Sequence, residues 1–116
     1  MPDRLFFAGG GTGGHLFPAI AIADAVRRVT PDAEILFIGT KGKIESQVVP
    51  SRGYRFVPIW ISGFSRSLSF STILFPVRVA VSVLQSVALM MKEKPGVVVG
   101  TGGYVCGPPV LAASLL

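Results

Sequence analysis

Acidic side chains are scarce in this chain. Six Asp and Glu stand against eleven Lys and Arg, which leaves a formal net charge of +5 and a pI near 10.0. That balance suits an acidic partner: a phosphorylated ligand, an anionic membrane surface or nucleic acid. Nucleic acid is set aside, because the basic residues are scattered and no run of them is interleaved with stacking aromatics. Cysteine occurs once, at Cys106. A single thiol excludes an internal disulfide, argues against a cysteine zinc site and fits a reducing cytoplasm. Charged residues make up only 15% of the chain, whereas half of it is hydrophobic. No signal peptide is visible, since the first apolar run is short and breaks at once into glycines. With 116 residues the chain has room for one domain and not for two.

What the sequence has in plenty is glycine, concentrated at Gly9-Gly10-Gly11-Thr12-Gly13-Gly14-His15. The run Leu5-Phe6-Phe7-Ala8 before it reads as a buried strand. The segment after it, from Leu16 to Val29, repeats Ala, Ile and Val at helical spacing. A glycine-rich turn from strand to helix lets a ligand touch the backbone. It also aims unpaired N–H groups and the positive helix end at that ligand. Five glycines in six residues favour an anion seat over a merely tight turn.

Further along, strand and helix patterns alternate. Ile35–Ile38 reads as a second strand and Ile44–Val49 as a short helix stopped by Pro50 and Gly53. Arg55–Ile61 reads as a third strand, its Pro58 placing it at a sheet edge. A long apolar segment runs from Leu68 to Met91, Val97–Val99 is a fourth strand, and Pro108-Pro109 opens a last helix. Continuous apolar strands alternating with helices predict an α/β fold, a Rossmann-like doubly wound parallel sheet in the order 3-2-1-4. The last helix stops without cap or polar tail, so the chain reads as a fragment of a longer protein.

The second glycine cluster, Gly100-Thr101-Gly102-Gly103-Tyr104, also lies between strand and helix. In the order 3-2-1-4 both clusters flank the crevice where ligands of such sheets bind. A diphosphate touching both loops is the natural guest. Gly9, Gly11 and Gly14 also fit the dinucleotide fingerprint. That reading wants an acid after the second strand, where the chain has Lys41-Gly42-Lys43. Lysines there would suit only a 2′-phosphate. No Gly-Lys-Ser/Thr follows the glycines, so the chain carries no nucleoside-triphosphate P-loop.

Gly10-Gly11-Thr12-Gly13-Gly14-His15 with Pro18-Ala19 resembles the opening of the MurG family, the bacterial peptidoglycan glycosyltransferases. The likeness continues through Gly39-Thr40, Glu45, Ile61-Ser62-Gly63, Gly102-Gly103-Tyr104-Val105 and Gly107-Pro108. It departs at Cys106, where serine is more usual, and at Phe64-Ser65-Arg66, where the family has a Leu-Arg pair. The resemblance implies the N-terminal, acceptor-binding half of a two-domain GT-B enzyme. Such an enzyme moves N-acetylglucosamine from UDP-GlcNAc to lipid I, the undecaprenyl-diphosphate-linked muramyl-pentapeptide, and makes lipid II. It implies inversion at the anomeric carbon, no metal or other cofactor, and a place at the cytoplasmic face of the bacterial inner membrane. The donor domain is then absent from these residues. The other readings are a non-catalytic lipid-binding half of a split glycosyltransferase and a dinucleotide-binding domain.

The resemblance also sharpens individual residues. His15, directly after the glycines, is a general base or a phosphate ligand. Gly11, Thr12, Gly13, Gly14, Gly102, Gly103 and Tyr104 are expected to line the acceptor site, with packing as the alternative for Tyr104. Glu45 is expected near the cleft, with a solvated helix carboxylate as the alternative. Cys106 has no titratable partner that would make it a nucleophile. In the segment Leu68 to Met91, Arg78, Ser82, Gln85 and Ser86, with Lys92 and Glu93 beyond it, fall on one narrow helical face. An Arg at mid-span costs roughly 2.5–3.5 kcal/mol on insertion. The stripe therefore predicts an amphipathic helix and not a spanning one. Ile73, Leu74 and Phe75, beside Arg66 and Arg78, form a candidate patch for anionic lipid, and burial in the core is the competing reading.

Overall fold

The computed structural model describes residues 4–10, 13–59, 70–102 and 107–116, with the side chains of 70–75 excepted. Strands and helices alternate: β1 (Arg4–Gly9), α1 (Gly13–Val29), β2 (Glu34–Thr40), α2 (Ile44–Ser51), β3 (Arg55–Ile59), α3 (Phe70–Glu93), β4 (Val97–Gly102) and α4 (Gly107–Leu115). The four strands form one sheet in the order β3-β2-β1-β4. All its pairings are parallel, with Phe7 opposite Phe37 on one side and Val99 on the other. This is the order that the alternation predicts.

The two central strands, β1 and β2, are buried along almost their whole length. Both faces of the sheet are covered there, so both sets of alternating side chains must be apolar. Leu5, Phe7, Ile35 and Phe37 point to one face, where Leu16, Ala19, Ile20 and Ala23 of α1 and Val49 of α2 meet them. Phe7 and Phe37 stack with ring centroids 5.3 Å apart. Phe6, Leu36 and Ile38 point to the other face, against Met90 of α3 and Ala112 of α4. Burying each such side chain contributes roughly 1.5–3 kcal/mol. At the N-terminal ends of the strands Arg4 pairs with Glu34 at 2.6 Å, and Arg55 pairs with Glu93 at 2.8 Å.

Several boundaries differ from the sequence expectation. β3 ends at Ile59, and residues 60–69 lie outside the described set. α2 runs through Pro50 to Ser51, with the proline giving up the ladder bond to the carbonyl of Ser46. β4 continues through Gly100 and Thr101 to Gly102, so the first three residues of the second glycine cluster are strand.

The larger correction concerns α3. Ser82 and Ser86, expected on a solvated polar stripe, are fully buried together with Met90. Their hydroxyls donate to carbonyls of the helix itself, Ser82 to Arg78 at 2.7 Å and Ser86 to Ser82 at 2.8 Å. Polarity satisfied inside the helix needs no water, and small side chains permit close packing. The outer surface instead carries Val77, Leu84 and Met91, which are 49%, 68% and 64% exposed.

Candidate functional site

The site grows from the C-terminal ends of β1 and β4. β1 ends at Gly9, and α1 begins at Gly13, so its first-turn N–H groups and positive end face this edge of the sheet. His15 lies in the first turn of α1 and is half-buried. Its ring lies against Gly102, where an added Cβ would stand 2.5 Å from His15 Cδ2 and 3.1 Å from Nε2. Gly102 also has φ +121°, in the region that favours glycine. Glycine is required there twice over, by its backbone and by the imidazole.

Thr101 forms the second link between the loops. Its Oγ1 donates a 2.6 Å hydrogen bond to the backbone carbonyl of His15. The same oxygen fills the hollow above Gly9, where a Cβ would lie only 1.9 Å from it. Sequence reading passed over Thr101. Its signal was its place inside a glycine cluster, between Gly100 and Gly102.

On the other flank of β1 sits Glu45, which is 1% exposed. The solvated alternative for this residue therefore does not hold. Its Oε2 accepts the Thr40 N–H at 3.0 Å. Its carboxylate covers Gly10, where a Cβ would come within 2.3 Å of Oε2, and its Cγ lies as close to Gly39. Two glycines at the ends of β1 and β2 thus leave the space that this side chain fills. Lys41 and Lys43 follow β2 at the same edge and are exposed.

Of the residues singled out from sequence, the structure brings His15, Gly13, Gly14, Gly102 and Glu45 to one edge of the sheet. Gly11, Thr12, Gly103, Tyr104, Cys106 and Arg66 lie outside the described residues, as do the side chains of Ile73, Leu74 and Phe75. Arg78 is half-buried on α3. Two open cavities among the described residues lie at the opposite end of the sheet. One of about 440 Å³ is lined by Leu5, Ile22, Val26 and Val29, and one of about 320 Å³ by Met90, Pro95, Val97 and Leu116. The site is located by the His15, Gly102 and Glu45 contacts at the C-terminal ends of the strands. Among the described residues no group of three or more His, Cys, Asp or Glu could hold a metal ion.

Residues 5–116 match the glycosyltransferase family 28 N-terminal domain. A protein of Salinibacter ruber is 50% identical over 112 residues, covering 97% of this chain and 30% of its own length. One of Cytophaga hutchinsonii is 43% identical over 113 residues, with 97% and 31% covered. Both are named UDP-N-acetylglucosamine–N-acetylmuramyl-(pentapeptide) pyrophosphoryl-undecaprenol N-acetylglucosamine transferase. The crystal structure of Acinetobacter baumannii MurG superposes with a TM-score of 0.77 at 25% identity, over 98% of this chain and 31% of that one. The chain thus spans less than a third of the length of these relatives. The family that the glycine motifs resemble is the one found. This chain belongs to glycosyltransferase family 28, and the part of the family it matches is the N-terminal domain.

Proposed function

We propose that this chain is the acceptor-binding half of an enzyme that transfers N-acetylglucosamine from UDP-GlcNAc to lipid I. The donor domain in this reading lies outside these residues. The observation that carries it is the meeting of two glycine loops at His15. The N-terminus of α1, the ring of His15 and the backbone of Gly102 face one edge. Such an edge offers N–H donors and a positive helix end to a diphosphate. Gly11, Thr12, Gly13, Gly14, Gly102, Gly103 and Tyr104 would line the acceptor, with Glu45 close behind them. His15 would take the proton of the acceptor hydroxyl as that oxygen attacks the anomeric carbon of UDP-GlcNAc, whose diphosphate leaves. A positioned base contributes about 10²–10⁴-fold to such a step.

The acceptor's polyprenyl tail stays in a bilayer, so the cleft must work at a membrane surface, in this reading the cytoplasmic face of the inner membrane. No described helix is long and apolar enough to cross a membrane. The exposed Val77, Leu84 and Met91 of α3 support peripheral contact, and Ile73, Leu74, Phe75 and Arg78 of the candidate patch belong to the same helix, with Arg66 shortly before it in sequence. Each basic residue near an anionic surface is worth about 1 kcal/mol.

The test is made on the chain completed to the length of its relatives. With lipid I and UDP-GlcNAc it should make lipid II, and His15→Ala should lower kcat about 100-fold or more. The 116-residue chain alone should bind lipid I in detergent micelles and transfer no sugar. Tight NADP binding without lipid I binding would overturn the reading in favour of a dinucleotide site.

A further inference from the structure

We propose that Thr101 is a positioning residue: its hydroxyl pins the first turn of α1 to the end of β4 and so fixes the imidazole of His15 over Gly102. The inference rests on the reading of His15 above.

Three independent observations carry it. The first is the ladder. Ala8 pairs with Gly100 but Gly9 pairs with Gly102, so the register shifts there and Thr101 is the extra residue of a bulge. A bulge re-aims the side chain of its extra residue, and such bulges concentrate beside active sites. The second is the bond itself. Thr101 Oγ1 reaches the carbonyl oxygen of His15 at 2.6 Å, across 86 residues of sequence, and lies in the hollow left by Gly9. The third is in the helix. Pro18 has no N–H to give the carbonyl of Gly14, so the turn that carries His15 holds one internal bond fewer than an ordinary helical turn. A tie supplied from the sheet stands where the helix's own ladder is weakened.

The consequence is geometric. The ring of His15 rests against Gly102, and its place over that glycine follows its own backbone. That backbone is bonded to the residue next to Gly102. Thr101 touches no substrate in this account and acts only through His15.

The experiment uses the chain completed to the length of its relatives, with lipid I and UDP-GlcNAc as substrates. Thr101→Val keeps the shape and removes the hydroxyl. Thr101→Ser and Thr101→Ala differ from one another only by that hydroxyl, and neither is large enough to strike Gly9. A neutral hydrogen bond corresponds to a factor of roughly two to ten. Thr101→Val and Thr101→Ala should therefore lower kcat about three- to tenfold, with KM for lipid I changed less than about twofold, and Thr101→Ser should keep kcat. The imidazole resonance that disappears in His15→Ala identifies His15. It should move in the Val and Ala variants and return in Ser, which a purely structural loss of stability would not produce. Equal kcat in the Ser and Ala variants, or a His15 resonance unmoved in all three, would overturn the proposal. If His15→Ala leaves kcat unchanged, the reading of His15 as a base fails, and the pinning is then judged by the resonance alone.

Discussion

On one face of the sheet, α1 and α2 close over Phe7, Phe37 and Tyr54; on the other, α3 and α4 leave large apolar side chains in the open. The closed face has two aromatic contacts, Phe7 on Phe37 and Phe37 against Tyr54 at 5.2 Å. The Tyr54 hydroxyl donates to Asp24, and Arg27 lies over its ring at 4.2 Å. The other face buries two serines and exposes Leu84, Met91, Val110, Leu111 and Leu115. A chain that is half hydrophobic therefore does not have a proportionately large core. Much of its apolar surplus lies on α3 and α4, with Phe17, Ile22 and Val29 of α1 and Ile44 of α2 exposed as well, and exposed apolar surface of that kind marks a place of contact.

The contrast can be broken most sharply at Phe37. Phe37→Ala should cost about 3–5 kcal/mol, enough to unfold a small domain, whereas Leu84→Ala should change stability by no more than about 0.5 kcal/mol. Denaturant midpoints of the two variants check this, and equal losses would make α3's outer face part of the core. Next in size is Ser86→Leu. On a solvated stripe it would be neutral; in the buried position it should cost about 1–3 kcal/mol by overpacking. Thermal melts of Ser86→Leu beside Gln85→Leu, which changes an exposed neighbour, separate the two readings. The smallest effect is at Tyr54. Tyr54→Phe removes the bond to Asp24 and should cost about 0.5–1.5 kcal/mol at neutral pH. Burial, chiefly, and the Asp24 carboxylate push the phenol up from 10.0 to about 12. The folded state holds this proton more tightly than the unfolded one. Its contribution is thus full below pH 10 and lost as the pH rises toward 12. Unfolding followed across that window should show a stability slope that Tyr54→Phe flattens.

The parts of this fold that sequence displays are those determined by neighbours along the chain. β1 and β2 read as buried strands because their apolar runs are continuous, and the edge place of β3 was legible in Pro58. The glycine clusters marked the ligand edge, and His15 was legible as the one histidine of the chain, directly after the first cluster. What stayed hidden depends on partners far off in sequence. Glu45 was marked by the family resemblance, but its burial shows only once Gly10 and Gly39 are brought beside it. Ser82 and Ser86 count as polar in any periodicity, yet each spends its polarity on the helix backbone. Thr101 has its part only through a bulge, and a bulge exists only once β4 has paired with β1.

That last dependence bears on the order in which the molecule is made. β1, β2 and β3 are all contained in the first 59 residues, so a chain leaving the ribosome can pair these three strands early. β4 follows only after α3 has been synthesised, and the contact of Thr101 with His15 closes a loop of 86 residues. Loop closure costs rise by about 0.6 kcal/mol for each doubling of length, so this contact is entropically dearer than the neighbouring β1–β2 pairing. Synthesis therefore supplies one wall of the glycine cleft near its beginning and the other only after α3. Among the described strands, the edge that holds the histidine gains its second side last.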